Sequence, residues 1–403
     1  MAVGLREPEK LAPVPGVRLA STAAGIRYQG RDDLVLMAFD AGTRMAGVFT
    51  RNAFCAAPVL VAREHLGQGA PRFWLINSGN ANAGTGEQGL SDARRCCALV
   101  ADKAGLAAEA VLPFSTGIIG EPLDVAAFER AVPELCAGLS ADGWLRAARA
   151  IMTTDTLPKG ASRRVALSSG EVTLTGIAKG AGMIRPDMAT MLAFVATDAR
   201  IEQAPLQGLL QAAVDGSFNR ITVDGDTSTN DACMLAATGA SGVGLADAED
   251  EARFAEVLND LLRELAQAIV RDGEGATKFV TVEVVEAADR DEALRVAYTV
   301  AHSPLVKTAL FASDPNWGRI LAAVGRSGIE NLAVDRVRIL LDEVLIVRDG
   351  GRAPEYREAD GQRVMDREAF TIRIELGRGQ ASERIWTCDL SHDYVRINAE
   401  YRT

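Results

Sequence analysis

The distribution of apolar and polar positions along the chain predicts short strands alternating with amphipathic helices. Apolar runs of roughly four to eight residues, bounded by Gly, Asn, Asp and Ser, are typical of strands. Stretches in which apolar residues recur every three or four positions are typical of helices that bury one face. The predicted strands are 33–39, 45–50, 73–76, a run that starts at 111, 164–167, 172–177, 191–196, 233–237, 279–285, 337–347, 370–375, 384–388 and 394–397. The predicted helices are 92–104, 124–139, 143–152, 203–218, 249–271 and 291–301.

The stretch from Lys179 to Ala199 joins a glycine-rich segment to an apolar run, and Thr190 lies where the two meet. The first part contains one lysine and several glycines, whereas the second part, 191–196, has the length of a strand. Thr190 could simply be a β-forming residue at the start of a buried strand. It could also carry chemistry, and the local pattern leaves both interpretations open.

A threonine hydroxyl is a weak nucleophile that needs an adjacent base. One known base is the threonine's own α-amine, which is freed when the preceding peptide bond is cleaved. An α-amine has a reference pKa near 7.7–8.0, so much of it can accept a proton at neutral pH. The glycines before Thr190 allow strained backbone geometry that would expose the Ala189 carbonyl to the threonine hydroxyl. This chemical hypothesis predicts cleavage between Ala189 and Thr190.

Three other loops combine small and polar residues in ways that suit a ligand. Thr116 and Gly117 follow a strand. Their hydroxyl and N–H could donate to a developing oxyanion, and the alternative is a simple turn. Residues 153–156 end a predicted helix, where polar side chains either cap the helix or contact a small polar ligand. Glu274 lies between two glycines and could be either a substrate anchor or an exposed loop residue.

The overall composition is that of an ordinary soluble globular protein, with 403 residues, 48% of them apolar and 24% charged. This length predicts two domains, or one large layered domain with an appendage. The net charge of −11, with scattered basic residues, argues against nucleic acid as a partner. No apolar run reaches the roughly 18–20 residues of a membrane helix, and the N-terminus lacks a signal peptide's apolar region. A membrane is therefore not an expected partner.

The cysteine and histidine positions favour a cytosolic protein without a metal site. The six cysteines form no CxxC motif, so buried free thiols in a reducing compartment are expected. The three histidines lack metal-ligand spacing. The loop 224–231 contains three aspartates, but it lacks the spacing of a calcium-binding EF-hand loop.

Eight motifs, in this order along nearly the whole chain, resemble the ornithine acetyltransferase family. Its members are also called bifunctional glutamate N-acetyltransferases of arginine biosynthesis. Each motif is weak alone, but eight in sequence are highly specific. The motifs are PFSTGIIG at 113–120, MTTDT at 152–156, KGAGM at 179–183, ATML at 189–192, GDTSTND at 225–231, DGEGATK at 272–278, SDPNWGR at 313–319 and NAEYRT at 398–403.

The resemblance implies a precursor that cleaves itself between Ala189 and Thr190 into an α chain, 1–189, and a β chain, 190–403. Thr190 would be the nucleophile that takes the acetyl group from N-acetylornithine and passes it to glutamate in a ping-pong reaction. The products would be ornithine and N-acetylglutamate. The implied oxyanion hole consists of Thr116 and Gly117. The implied substrate-binding residues are Thr153, Lys179, Thr190, Glu274, Asn398 and Thr403.

The fold that the resemblance implies is α+β, a four-layer αββα sandwich of the N-terminal-nucleophile type with a C-terminal α/β portion. Residues 1–280 would form the core that contains the cleavage site, and residues 281–403 the domain that completes the substrate pocket. The resemblance also implies a cytoplasmic α2β2 heterotetramer. No metal or other cofactor is expected, and the motifs leave open whether acetyl-CoA is an additional acetyl donor.

Two other functions share some of these features. An N-terminal-nucleophile aminopeptidase or amidase would also cleave itself, but it would hand the acyl group to water, so the product would be free acetate. A non-catalytic binding protein would keep the Ala189–Thr190 bond intact. Within the transferase interpretation, Glu274 suits the distal ammonium of ornithine, so the distal carboxylate of glutamate requires other contacts.

Overall fold

The computed structural model describes residues 2–185 and 191–400 of the chain. These residues fold into two compact units. The larger unit contains the described residues of Glu7–Asn219 and Asp226–Ile269. The smaller unit contains residues 2–6, Arg220–Gly225 and residues 270–400. The expected domain boundary at residue 280 stays a prediction.

The described residues of the larger unit combine strands and helices, as the mixed sequence pattern predicts. Its strands are β1 (Val17–Thr22), β2 (Leu34–Phe39), β3 (Arg44–Phe49), β4 (Phe73–Asn80), β5 (Val111–Ile118), β6 (Lys159–Leu167), β7 (Gly170–Lys179), β8 (Leu192–Thr197) and β9 (Ala232–Ala237). Its helices are α1 (Ala57–Gln68), α2 (Gly86–Ala104), α3 (Val125–Ala137), α4 (Trp144–Ala150), α5 (Gln203–Asp215) and α6 (Ala248–Arg271). The last two residues of α6 belong to the smaller unit.

The strands of the larger unit form two sheets. The first has the order β1-β2-β4-β5 and the second the order β3-β9-β8-β7-β6. The pairs β4–β5 and β8–β9 are parallel, and the other neighbours are antiparallel. Every residue of β2, β8 and β9 is buried. Burial on both faces explains why these strands have continuous apolar sequences rather than alternating ones.

The two sheets pack face to face around a group of aromatic side chains. The ring of Trp74 lies 4.5 Å from that of Phe39 in its own sheet and 5.6 Å from that of Phe194 in the second sheet. Phe114 and Phe194 meet edge to face at 5.0 Å. All four side chains are almost completely buried. Such pairs add about 0.5–1.5 kcal/mol each beyond the burial of their area.

Helices cover the outer faces of both sheets. Cys97 of α2 and Val132 of α3 share an apolar cluster with residues of β2 and β4. On the other side, Leu261 of α6 packs so close to β7 that a Cβ added at Gly176 would lie 3.0 Å from it. Gln207 of α5 hydrogen-bonds the backbone of β3. The order helix, sheet, sheet, helix confirms the predicted α+β fold with four αββα layers.

The smaller unit contains a single sheet in its described residues, with the order β13-β12-β11-β14-β10-β15. Its strands are β10 (Phe279–Ala287), β11 (Arg338–Leu341), β12 (Val344–Arg348), β13 (Gly351–Arg352), β14 (Ala369–Glu375) and β15 (Ala381–Cys388). Its helices are α7 (Arg290–Ala301), α8 (Pro304–Phe311), α9 (Trp317–Gly325), α10 (Glu358–Met365) and α11 (His392–Glu400). Across the two units, short 3-10 turns occur at Ala108–Ala110, Phe218–Arg220 and Val334–Arg336. Val296 of α7 packs in one core with Val282 and Ile385 of the sheet.

Two strand predictions in the smaller unit were wrong. The run 337–347 is a hairpin of β11 and β12, which turns at Asp342 with a φ of +48°. The run 394–397 belongs to helix α11, whose first turn is capped by the Ser391 hydroxyl accepting the Tyr394 N–H at 3.4 Å. Both errors arose because a short apolar run does not distinguish a strand from a turn or a helix. Among the described residues, no helix has the length and apolar content required to span a membrane.

Candidate active site

Thr116 and Gly117 lie near the end of β5, beside Ser78 and Gly79 of the parallel strand β4. Gly117 has a φ of +138°, and a Cβ added there would lie 2.2 Å from the carbonyl carbon of Gly79. Only glycine fits so close an approach of two backbones. The pair is therefore part of a strand, and the alternative of a simple turn was wrong.

Hydrogen bonds among buried polar groups allow β4 and β5 to include polar residues near their ends. The Ser115 hydroxyl donates to Asn77 Oδ1 at 2.6 Å, and the Asn230 amide donates to the carbonyls of Ser115 and Ala81 at 2.9 and 2.7 Å. Asn77 also donates to the carbonyl of Asn80 at 2.8 Å. Because each of these buried polar groups has a partner, β4 runs to Asn80 rather than ending at the predicted residue 76.

Lys179, at the end of β7, brings two of the predicted site residues together. Its ammonium Nζ donates to the hydroxyl oxygens of Thr116 at 3.0 Å and Thr153 at 2.8 Å. The lysine is 8% exposed. The structure thus unites a residue of β5, a residue that follows α4 and the last residue of β7, which are far apart in sequence.

Asp155 lies close to this contact, and its carboxylate accepts three hydrogen bonds. Oδ1 accepts from Lys159 Nζ at 2.6 Å and from the Gly180 N–H at 2.7 Å, and Oδ2 accepts from the Thr153 N–H at 3.0 Å. The side chains of Asp155 and Lys159 are both completely inaccessible. Burial alone would raise the pKa of Asp155, but the charges of Lys159 and Lys179 and these hydrogen bonds hold it below its ordinary value.

We call Thr116, Thr153, Asp155, Lys159 and Lys179 the lysine cluster. Sequence reasoning missed the roles of Asp155 and Lys159 in it. The available signal was an aspartate among hydroxyl residues with a lysine four positions later. That spacing suggests an ion pair but does not show that both partners are buried.

Asp231, immediately before β9, is a second buried carboxylate near Lys179. Burial raises its pKa well above the ordinary value, whereas hydrogen bonds from the Ser228 hydroxyl and the Met191 N–H and the charge of Lys179 act in the opposite direction. Among the described residues, its Oδ2 has no hydrogen-bond partner. This carboxyl group therefore differs from Asp155 in being only partly compensated.

The predicted cleavage point, Ala189 and Thr190, and the predicted substrate-binding residue Thr403 lie outside the described residues. The described chain resumes at Met191, which is 4% exposed. Its carbonyl accepts the N–H of Ala232 at 3.0 Å, at the start of the parallel pair of β8 and β9. The apolar run 191–196 is thus the buried strand that its pattern predicted.

Glu274 and Asn398 meet within the smaller unit. The Asn398 side-chain amide donates to Glu274 Oε2 at 2.7 Å and to the carbonyl of Tyr394, one turn earlier in α11, at 3.0 Å. Glu274 is 8% exposed, whereas Asn398 is exposed. Asn398 reaches the glutamate from a helix, which replaces the strand that was predicted there.

Gly275 permits this approach of the loop to the start of α11. Its φ is +70°, and an added Cβ would lie 2.6 Å from both Ser391 Oγ and the Tyr394 nitrogen. The Ser391 hydroxyl in turn donates to the Gly275 carbonyl at 2.7 Å. We call Glu274, Gly275, Ser391, Tyr394 and Asn398 the glutamate cluster. It contains a buried carboxylate whose described hydrogen-bond partner is a neutral amide.

Within residues 2–185 and 191–400, no group of three or more His, Cys, Asp and Glu side chains is arranged so that it could hold a metal ion. The six cysteines, all within these ranges, are free. Cys55 and Cys136 are only half-buried, so the expectation of six buried thiols was wrong for these two.

A family model described as the ArgJ family matches residues 18–403 of this chain. The curated relatives include the arginine biosynthesis bifunctional protein ArgJ of Methylococcus capsulatus, which is 60% identical over 98% of this chain and 97% of its own length. The protein of the same name from Pseudomonas syringae is 57% identical over the full length of both chains.

Solved structures of two related proteins are also similar to parts of this chain. The Bacillus halodurans arginine biosynthesis bifunctional protein ArgJ is 40% identical, with a TM-score of 0.48 over 51% of this chain and 96% of its own. The Mycobacterium tuberculosis ornithine acetyltransferase, solved with ornithine, is 36% identical, with a TM-score of 0.42 over 46% of this chain and 99% of its own.

Proposed function

This chain belongs to the ArgJ family, and from that membership we propose that it transfers the acetyl group of N-acetylornithine to glutamate. The acetyl group passes through an ester with Thr190, and the products are ornithine and N-acetylglutamate. The reaction serves arginine biosynthesis, the process named for the curated relatives. Those relatives are called bifunctional, which supports acetyl-CoA as a second acetyl donor to glutamate.

Formation of the nucleophile is the first step of the proposed mechanism. Self-cleavage between Ala189 and Thr190 releases an α-amine on Thr190, and the two chains, 1–189 and 190–403, remain associated. The α-amine then acts as the base for the threonine hydroxyl. No metal or other cofactor takes part.

Acetyl transfer then follows in two half-reactions. The hydroxyl oxygen of Thr190 attacks the acetyl carbonyl carbon, its proton moves to the α-amine, and the carbonyl electron pair becomes an oxyanion. As the carbonyl re-forms, the carbon–nitrogen bond breaks and ornithine leaves with the proton from the α-ammonium. In the second half-reaction the neutral amine of glutamate attacks the acetyl ester, and the bond between the acetyl carbon and the Thr190 oxygen breaks. A proton of the attacking amine passes through the α-amine to the Thr190 oxygen and regenerates the free hydroxyl.

Family membership carries this proposal, and the structural observation that supports its oxyanion hole is the pair of hydrogen bonds from Lys179 to the hydroxyls of Thr116 and Thr153. When Thr116 Oγ1 accepts from an ammonium, its own O–H remains available to donate. With the Gly117 N–H, it can stabilise the oxyanion of each half-reaction. Lys179 and Thr153 also suit an α-carboxylate, which N-acetylornithine and glutamate share.

Glu274 is proposed to bind the distal ammonium of ornithine. Its carboxylate is mostly buried and is held by Asn398, a neutral donor, so its negative charge is not cancelled by that contact. A charge-assisted hydrogen bond to an ammonium is roughly twice as strong as one between neutral groups. Thr403 and Asn398 complete the proposed substrate contacts.

We further propose a cytoplasmic α2β2 assembly.

The test combines an intact mass with the fate of a labelled acetyl group. Purified protein under denaturing conditions should give fragments of about 20 and 23 kDa, the residue shares of 42.7 kDa on either side of the 189–190 bond. Enzyme mixed with acetyl-labelled N-acetylornithine and glutamate should yield labelled N-acetylglutamate. Labelled acetate as the main product would instead assign the chain to the hydrolases. An intact 42.7 kDa species without transfer would contradict the mechanism.

A further inference from the structure

The position of Asp155 relative to the residues of the lysine cluster indicates a role beyond stability. Its two main-chain partners are the N–H groups of Thr153 and Gly180. Thr153 is itself a hydrogen-bond partner of Lys179, and Gly180 directly follows that lysine. One carboxylate therefore fixes the backbone on both sides of the contact between Thr153 and Lys179. A carboxylate that served only as the counterion of Lys159 would not need these two amides.

The charge of Lys179 determines how the Thr116 hydroxyl is oriented. An ammonium has three N–H donors and no acceptor, so Thr116 Oγ1 must accept from it and its own proton points elsewhere. A neutral amine has a lone pair, which could accept the Thr116 proton and turn the hydroxyl away from an oxyanion. Burial favours the neutral form of an amine, and a nearby carboxylate favours the charged form. A carboxylate next to Lys179 thus favours the productive orientation of the hydroxyl.

We propose that Asp155 is a positioning residue for acetyl transfer, which holds Thr153 and Lys179 in place and keeps Lys179 protonated so that Thr116 donates to the oxyanion. The inference rests on the proposed function. Among the described residues, the charged groups that act on this contact include Asp155 and Asp231, which interact with Lys179, and Lys159, which faces Asp155. Of the two aspartates, Asp155 also binds the backbone that carries the contact.

The test measures kcat/KM for N-acetylornithine against pH in two variants. Lys159→Met removes the buried cation and keeps the carboxylate, which Lys179 and the N–H groups of Thr153 and Gly180 still stabilise. Asp155→Asn combined with Lys159→Met removes both charges and so avoids leaving Lys159 buried without its partner. At alkaline pH, kcat/KM of the double variant should fall at a pH about 1 unit or more lower than kcat/KM of Lys159→Met. The reason is that Lys179 loses its proton more readily without the Asp155 carboxylate. Identical alkaline behaviour of the two variants would overturn the inference, whatever their maximal rates.

Asp198→Asn is the matched control. Asp198 is also a mostly buried aspartate of the larger unit that accepts a backbone N–H, that of Thr173 at 2.7 Å. Its substitution should leave the alkaline side of the profile at the wild-type pH. A shift equal to that of the double variant would show that loss of any such aspartate moves the profile, which would also overturn the inference.

A measurement on wild-type protein covers the case in which the double variant does not fold. The Lys179 side-chain resonance, assigned by its absence in Lys179→Met, is followed by NMR from neutral to alkaline pH. It should keep the chemical shift of an ammonium to at least about pH 9, as an ordinary lysine does. Loss of the proton near neutral pH would refute the inference. This readout does not depend on turnover, so it separates failure of the inference from failure of the proposed acetyl transfer.

Discussion

The lysine cluster and the glutamate cluster both contain mostly buried charged groups, but they differ in how the charge is compensated. In the lysine cluster, Asp155 is paired with Lys159 and binds two backbone amides, and its charge interacts with that of Lys179. In the glutamate cluster, Glu274 is held by the neutral amide of Asn398. Among the described residues, the charge of Asp155 is therefore compensated by an ion pair, whereas the hydrogen-bond partner of Glu274 is a neutral amide.

In the proposed mechanism, this difference corresponds to two kinds of task. Stabilising an oxyanion requires donors that are fixed before the substrate arrives, because reorganisation during the reaction would raise the barrier. The lysine cluster meets this requirement through main-chain hydrogen bonds and a buried ion pair. Recognising a cationic substrate requires a carboxylate that is not already neutralised. We expect substitutions in the lysine cluster to lower the rate of chemistry, and those in the glutamate cluster to change substrate affinity.

The largest effect is expected for Thr190, on which both clusters depend in the proposed mechanism. Thr190→Ala should remain a single chain and lose acetyl transfer by at least about 10⁴-fold, because one hydroxyl serves both cleavage and transfer. Thr190→Ser keeps a hydroxyl and should retain some cleavage and transfer. Intact mass and labelled N-acetylglutamate measure the two steps. Normal turnover in Thr190→Ala would remove the basis for comparing the clusters.

Thr116→Ala should lower kcat by roughly 10²–10³-fold, with little change in KM, because one oxyanion donor is removed. Thr173→Ala is the control, since Thr173 is a half-buried strand threonine of the same unit that lies outside the lysine cluster. Steady-state kinetics with N-acetylornithine and glutamate give both parameters. If Thr116→Ala has the wild-type kcat, the hydroxyl has no part in the chemistry.

Glu274→Gln should raise KM for N-acetylornithine about tenfold or more, because a hydrogen bond between charged groups becomes one to a neutral amide. Acetylation of glutamate from acetyl-CoA should change less, since glutamate has no distal ammonium. Glu343→Gln, an exposed glutamate between β11 and β12, should leave both reactions unaltered. Equal losses with both donors would show that Glu274 supports the fold rather than recognising ornithine.

The smallest effects concern stability and pH, where the two buried aspartates near Lys179 should behave oppositely. Because the pKa of Asp155 is lowered, its contribution is present above the unfolded pKa near 3.8 and is lost as the pH falls below it. The pKa of Asp231 is raised in the folded protein. Asp231 therefore lowers the stability of the wild type as the pH rises above the pKa that this carboxyl has in the unfolded chain. As the pH rises from about 3 to about 5, Tm of Asp155→Asn should therefore fall relative to wild type. As the pH rises from about 4 to about 7, Tm of Asp231→Asn should rise relative to wild type. Each change should be about 2–4 °C per kcal/mol.

Thermal unfolding followed by circular dichroism at several pH values tests this contrast. Asp198→Asn again provides a buried aspartate outside the lysine cluster. If Asp155→Asn and Asp231→Asn change Tm with pH in the same direction, the difference in charge compensation between these two carboxylates is wrong.

The outcome for individual residues shows where sequence reasoning succeeded. The apolar run 191–196 was predicted to be a strand from its pattern alone, because burial on both faces leaves a continuous apolar signature. The predicted strands 164–167 and 172–177 lie within the antiparallel pair β6 and β7. The site roles of Thr116, Gly117 and Lys179 stay predictions from the resemblance, since a hydroxyl, a glycine and a lysine are each common in turns. The site role of Asn398 has the same basis, although its helix was mistaken for a strand.

The sequence by itself determined the family, the alternation of strands and helices and the residue types available for chemistry. Only the tertiary structure decided which of those residues meet. Asp155 and Lys159 are four residues apart in a polar segment, a pattern usually found on a solvated surface, yet both side chains are fully buried. Their burial depends on β7 and the segment after α4 packing together, a contact between distant parts of the chain. Because a local pattern does not encode such contacts, the charge state of the site is a property of the fold.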